Sequence, residues 1–244
     1  MRVLFVKQDH SSPGGLIEDG FAAAGWDVSE MVVVPAERYH SPDVAVTFPS
    51  PADYDAVAFY GAAWAVYDQA AIPWVGDEIA YARSLMSLGV PVLGICFGGQ
   101  MLAAALGGTV SRAPIPEIGW VTVSSDEPAL IEPGPWLAWH FDRFRLPPGV
   151  PAIARTALAT QAFAHGRTLG LQFHPEVTDV VLEAWLSAGG VAELAELGVD
   201  TSALIEQARS LAGDAAARAS RLVRGFVSDV ARRPVAPLLT PVAG

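Results

Sequence analysis

Val92-Leu93-Gly94-Ile95-Cys96-Phe97-Gly98-Gly99-Gln100-Met101-Leu102-Ala103 is the stretch whose reading decides the fold. An apolar run too short for a helix enters Gly-x-Cys-x-Gly-Gly and passes directly into a series of helix formers. The pattern predicts a strand, a sharp turn and a helix, with a thiol at the bend. Small residues on both sides let the chain turn tightly and leave room for a substrate against the backbone. At the carboxyl end of a strand and beside a helix N-terminus, Cys96 stands where the helix dipole favours a thiolate. The Phe97 amide, immediately after it, is placed to donate to an oxyanion. The competing reading of a lone cysteine is a small buried hydrophobe.

Upstream, Ile72, Val75, Ile79, Ala82, Leu85 and Met86 recur at three- and four-residue spacings, predicting a helix over 72–88 that Gly89-Val90-Pro91 ends. Arg2–Lys7, Val28–Val34 and Asp55–Tyr60 read as strands, the first followed by a Ser11–Gly15 turn and a helix through about Ala24. Alternating strand and helix predicts an α/β fold: a doubly wound, mainly parallel sheet with helices on both faces. After Gly108 the segments 120–123, 136–139, 152–155, 161–164 and 169–173 are short and turn-linked, which suits antiparallel additions. From Thr178 the pattern is helical. Leu204, Ala208, Leu211, Ala215, Ala219, Leu222, Phe226 and Val230 trace one stripe, with Glu206, Arg209, Arg218, Arg221 and Arg224 elsewhere on the surface. The expected organisation is an α/β domain over 1–190, a C-terminal helical extension over 191–233, and a proline-bearing tail over 234–244 expected to be mobile.

Composition narrows the function. Of 244 residues, 52% are hydrophobic and 17% charged, which excludes disorder for most of the chain. Lys+Arg 15 against Asp+Glu 26 gives a net charge of −11, the wrong sign for a nucleic-acid partner. A single cysteine excludes an internal disulfide and any multi-cysteine metal cluster. Lys7, the only lysine, is followed by Gln8, so the chain has no phosphate-binding GK[ST] loop. The uncharged stretch between Arg83 and Arg112 is broken by Pro91, Gln100 and several glycines, so it does not read as a membrane span. The expectation is a cytoplasmic protein with a free thiol, no metal, no cofactor and no membrane.

A base for that thiol lies far downstream, in Gly170-Leu171-Gln172-Phe173-His174-Pro175-Glu176. A strand ends at a histidine, proline stops it, and a carboxylate follows two residues after the histidine. In a triad His174 would hold the thiol proton and later protonate the leaving amine, while Glu176 would fix the imidazole tautomer. A lone His-Pro-Glu also serves as a loop cap or a surface ion pair. His10, His40 and His165 lack this context. Trp139-His140-Phe141-Asp142 offers a competing histidine–carboxylate pair or half of a metal site, without further clustered ligands.

Taken together, Gly94–Gln100 and Phe173–Glu176 resemble the triad motifs of class I glutamine amidotransferases, in particular stand-alone members related to the glutaminase domain of GMP synthase. Val66-Tyr67-Asp68, Ile72-Pro73-Trp74, Pro116–Trp120, Trp139-His140 and Leu146–Gly149 extend the likeness over about residues 50–186. The resemblance implies that family's flavodoxin-like fold, and attack by Cys96 on the glutamine side-chain amide, with His174 and Glu176 completing the triad. It implies an oxyanion hole from the amides of Phe97 and Ala62, and contacts to bound glutamine from Gln100, Phe141 and Asp142. Gly61-Ala62-Ala63-Trp64 departs from the family's Gly-Gly-Pro run, and Phe141 stands where a glycine is usual. A backbone donor survives such a change only if its dihedral suits a residue with a Cβ. Trp64 is expected to add bulk at the mouth of the site. The implied activity releases ammonia for a separate synthase. A hydrolase of γ-glutamyl peptides or amides uses the same triad, and a non-catalytic regulatory protein would keep the fold alone.

Overall fold

The computed structural model describes residues 1–239. Its elements in chain order are β1 (Arg2–Lys7), α1 (Gly15–Ala23), β2 (Asp27–Val32), β3 (Ala56–Phe59), α2 (Trp74–Ser87), β4 (Val92–Ile95) and α3 (Phe97–Ala105). There follow β5 (Thr109–Ser125), β6 (Gly134–Arg145), β7 (Ala152–Arg155), β8 (Thr160–His165), β9 (Thr168–Leu171), α4 (Asp179–Trp185), α5 (Val191–Glu196) and α6 (Thr201–Ser228). One nine-stranded sheet runs in the order β2-β1-β3-β4-β9-β8-β7-β5-β6. The half containing β2, β1, β3, β4 and β9 is parallel, and β8, β7, β5 and β6 extend it antiparallel. This is the expected doubly wound α/β fold. The segments 120–123 and 136–139 are parts of two long strands, 17 and 12 residues, paired as a hairpin.

The period of two along each parallel strand sorts its side chains between two cores. Val3 and Phe5 join a cluster with Ile17 and Phe21 of α1 and Leu222, Val223 and Phe226 of α6. Leu4 and Val6 join a second with Val75, Ile79, Leu85, Met101 and Leu102 of α2 and α3. Both faces are therefore covered, which is why the strands read as unbroken apolar runs.

Helix α6 packs its stripe against α1, and a Cβ on Gly20 would stand 2.8 Å from Val223 Cγ2. Asp200 caps it, accepting from the amides of Ser202 and Ala203. Arg218, expected on the surface, is buried instead: Nη2 donates to the Pro135 carbonyl at 2.9 Å and the guanidinium lies over the Trp136 ring. The long stem of arginine reaches a backbone acceptor that the apolar periodicity does not reveal. Residues 234–239 run beside β8 and β9, with the Pro237 carbonyl 3.2 Å from His165 Nε2. The rest of the stretch expected to be mobile, 240–244, lies outside the described residues. Among the described residues no helix is long and apolar enough to cross a membrane.

Candidate active site

Strand β4 lies in the parallel half between β3 and β9, and its carboxyl end delivers Cys96. The turn is strained at the cysteine itself: φ 51° and ψ −106° make it the one non-glycine residue of positive φ among the described residues. Such a conformation costs about 1–3 kcal/mol and is kept only where its surroundings enforce it. They do so here through backbone bonds, with the Cys96 amide donating to Leu171 at 2.9 Å and the Gly98 amide to Tyr60 at 3.1 Å. The neighbouring glycines serve close approach. A Cβ on Gly98 would stand 2.3 Å from the Phe59 carbonyl oxygen, and one on Gly99 2.1 Å from that of Leu171.

Beyond β9 the chain bends at Gln172 and Phe173, bridges to Leu137 at His174 and turns at Pro175 and Glu176, which sets the imidazole and the carboxylate side by side. His174 is pinned by its amide, which donates to Leu137 at 2.8 Å. Its Nδ1 meets Glu176 Oε1 at 2.7 Å, both side chains being buried. Burial works against the imidazolium, but the charges of Glu176 and then Cys96 outweigh it and hold the His174 pKa well above its ordinary value. The loop after β3 brings Cys96 and His174 together: a Cβ on Gly61 would lie 3.2 Å from His174 Cε1 and 3.8 Å from Cys96 Cβ. The first turn of α1 holds the carboxylate residue's backbone, the Leu16 amide donating to the Glu176 carbonyl at 2.9 Å.

Of the two residues the resemblance implies for an oxyanion hole, Phe97 directly follows Cys96 and Ala62 belongs to the loop after β3. Phe97 is the first residue of α3 and its amide has no intrahelical acceptor. Ala62 lines the same cavity as Cys96, and neither it nor Ala63 has positive φ, so the alanines sit there without strain. Trp64 differs from expectation. It packs edge-on against Trp74 at 5.7 Å and is not among the residues lining the cavity.

Gln100 and Asp142 stand together outside the cavity walls. Gln100 Nε2 donates to the Asp142 carbonyl and to Gln172 Oε1, both at 3.3 Å, and Gln172 Nε2 donates to Cys96 Sγ at 3.8 Å. The Tyr67 hydroxyl donates to Asp142 Oδ1 at 3.0 Å, while Phe141 projects from the opposite face of β6 under the Arg112 guanidinium. The competing pair of His140 with the Asp142 carboxylate does not form, and His140 meets a different carboxylate. His140 Nε2 lies 3.4 Å from Glu117 Oε2 and its Nδ1 3.0 Å from the Asp142 carbonyl, so it braces this network from within β5 and β6.

The cavity in front of Cys96 has a volume of about 300 Å³. Sequence reasoning missed much of its wall: Asp9, Ser11, Tyr39, Trp185 and Glu193. Trp185 is edge-on to His174 at 4.8 Å and donates through Nε1 to the Ser11 carbonyl at 2.9 Å. No local motif marks these residues, because they come from two loops and from helices α4 and α5. Gln172 carried a signal, its place two residues before His174 in the same motif.

A strained sheet-top cysteine beside a buried histidine–carboxylate pair is an arrangement suited to the chemistry of thiol enzymes that attack carbonyl carbon. Comparison with known proteins gives the particular family. The family model for class-I glutamine amidotransferases matches residues 36–184, and the chain belongs to that family. It is 37% identical over 187 residues to a glutamine-hydrolysing GMP synthase of Aeropyrum pernix, covering 69% of this chain and 36% of that one. A second, from Nitrosomonas eutropha, is 37% identical over 147 residues, covering 52% and 28%. The chain thus spans about a third of the length of these curated relatives. A crystal structure of a glutamine amidotransferase from Thermotoga maritima superposes with a TM-score of 0.82 at 26% identity, over 94% of this chain and 99% of that one. One from Methylobacillus flagellatus shares the fold, with a TM-score of 0.78 at 21% identity over 100% and 97%.

Proposed function

We propose that the chain hydrolyses the side-chain amide of glutamine through Cys96, His174 and Glu176, and passes the ammonia to a separate synthase in the cytoplasm. The observation that carries this reading is the strained Cys96 beside the 2.7 Å His174–Glu176 pair at the wall of one cavity. Cys96 Sγ, as thiolate, attacks the amide carbon, and the oxyanion is held by the amides of Phe97 and Ala62. His174 gives its proton to the departing nitrogen, the C–N bond breaks, and a glutamyl thioester remains. Water, deprotonated by His174, then releases glutamate and restores the thiol. Glu176 stabilises the imidazolium throughout. Gln100, Phe141 and Asp142 are assigned to the amino-acid head, and Gln172 steadies the sulfur. The likeness to GMP synthases, of which the chain matches about a third, supports an acceptor enzyme on another chain.

A second reading, hydrolysis of other γ-glutamyl amides or peptides, is favoured by the cavity volume of about 300 Å³, far more than ammonia needs. Glutamate release from glutamine and from γ-glutamyl dipeptides tests both readings. Cys96→Ala is expected to abolish release, His174→Ala to lower kcat/KM by about 10³-fold, and Glu176→Ala by less. Near-full turnover in Cys96→Ala would overturn the mechanism. Dipeptide turnover exceeding that of glutamine would transfer the assignment to the second reading.

A further inference from the structure

We propose that the cavity is a leaving-group pocket for a cationic amine, so that γ-glutamyl conjugates of aliphatic diamines are substrates. This rests on the thioester chemistry above and specifies what departs from it. The acid that protonates the leaving nitrogen must lie beside it, and His174 lines the cavity with its Nε2 buried and without a hydrogen-bond partner. Gln100, Phe141 and Asp142, the residues assigned to the glutamyl head, do not line it. The wall also has the wrong charges for an amino-acid head, which carries a carboxylate as well as an ammonium group. Asp9 and Glu193 are present, and neither lysine nor arginine is among the lining residues. Asp9 is 1% exposed, with Oδ1 fixed by the Ser11 amide at 2.7 Å. Glu193 stands beside the Trp139 indole at the rim, where Arg112 acts on it only from outside the lining.

Tyr39 lines the same wall as the two carboxylates. Burial and then the charges of Asp9 and Glu193 raise its pKa, so its hydroxyl stays neutral. The aromatic walls, Tyr39, Trp139 and Trp185, suit an alkyl chain and the face of a cation. The step balances without a co-reactant. Cys96 Sγ bonds to the γ-carbon, the C–N bond breaks, the His174 proton goes to the departing nitrogen, and water cleaves the thioester to give glutamate and the free diamine.

The experiment compares glutamate release from N-γ-glutamyl-1,4-diaminobutane with that from its uncharged isostere, N-γ-glutamylpentylamine. A second measurement, titration calorimetry with 1,4-diaminobutane, reads the pocket without chemistry. The expected result is a preference of about tenfold or more in kcat/KM for the charged conjugate, the worth of one partly desolvated charge pair. In Asp9→Asn and Glu193→Gln that preference narrows, and diamine binding weakens by a similar factor. Release from both conjugates with equal kcat/KM overturns the proposal and leaves the thioester reading standing. Absence of all γ-glutamyl turnover, with diamine binding that the two variants weaken, overturns the thioester reading and leaves the pocket. Absence of diamine binding together with absence of turnover overturns both.

Discussion

At the scale of the residue, the site depends on a strain that serine, alanine or cysteine would all bear at position 96 and glycine would not. With φ at 51° and ψ at −106°, the backbone there is one that a Cβ opposes. In an ordinary turn or helix, glycine in place of alanine costs stability through the entropy of the unfolded chain. Here the order is expected to reverse, with Cys96→Gly more stable than Cys96→Ala by about 1 kcal/mol in urea unfolding. Equal stabilities, or a more stable alanine variant, would show that the bend is relaxed. The sequence announces the bend through Gly-x-Cys-x-Gly-Gly, but not which residue carries the strain. The glycines owe their presence to carbonyl oxygens of strands distant in the chain, those of Phe59 and Leu171. Those contacts exist only once β3, β4 and β9 are assembled.

At the scale of the element, helix α2 carries a carboxylate into the core between itself and β1. Glu78 is fully buried and accepts from Gln8 Nε2 at 2.7 Å. Burial, outweighing that hydrogen bond, raises its pKa from 4.5 to about 8. An acid whose pKa rises on folding holds its proton in the native state while the unfolded chain has released it. The native state therefore loses stability as pH climbs between those two values. Thermal unfolding is expected to show a falling Tm between about pH 5 and pH 8, and Glu78→Gln is expected to flatten that slope. An unchanged slope in the variant would place the titration elsewhere. The element boundaries were legible wherever the apolar period was clean: β4 and β7 fall at the residues their composition marks, 92–95 and 152–155. The long hairpin of β5 and β6 was not. Its outer residues alternate with arginine, proline and glycine and are stabilised by pairing across the hairpin.

At the scale of the molecule, the two sheet faces divide the labour. One is closed by α1 and α6 and the other by α2 and α3, and the chemistry gathers at the carboxyl ends of the parallel strands between them. That arrangement, and the pairing of Cys96 with His174 across the fold, follows from two strand-end motifs that the sequence displays. The cavity wall does not follow from sequence. Asp9 and Ser11 come from the loop after β1, Tyr39 from the long connection to β3, and Trp185 and Glu193 from the helical segment after β9. Only closure of the sheet brings these five together. In the proposed mechanism the sulfur at 96 takes the glutamyl group. The most direct test is acid quenching of the protein during turnover of isotopically labelled glutamine, followed by peptide mapping. Label is expected as a hydroxylamine-sensitive thioester on the peptide bearing Cys96, increased in His174→Ala if deacylation slows more than acylation. Turnover with no label on that peptide, or label on another residue, would contradict it.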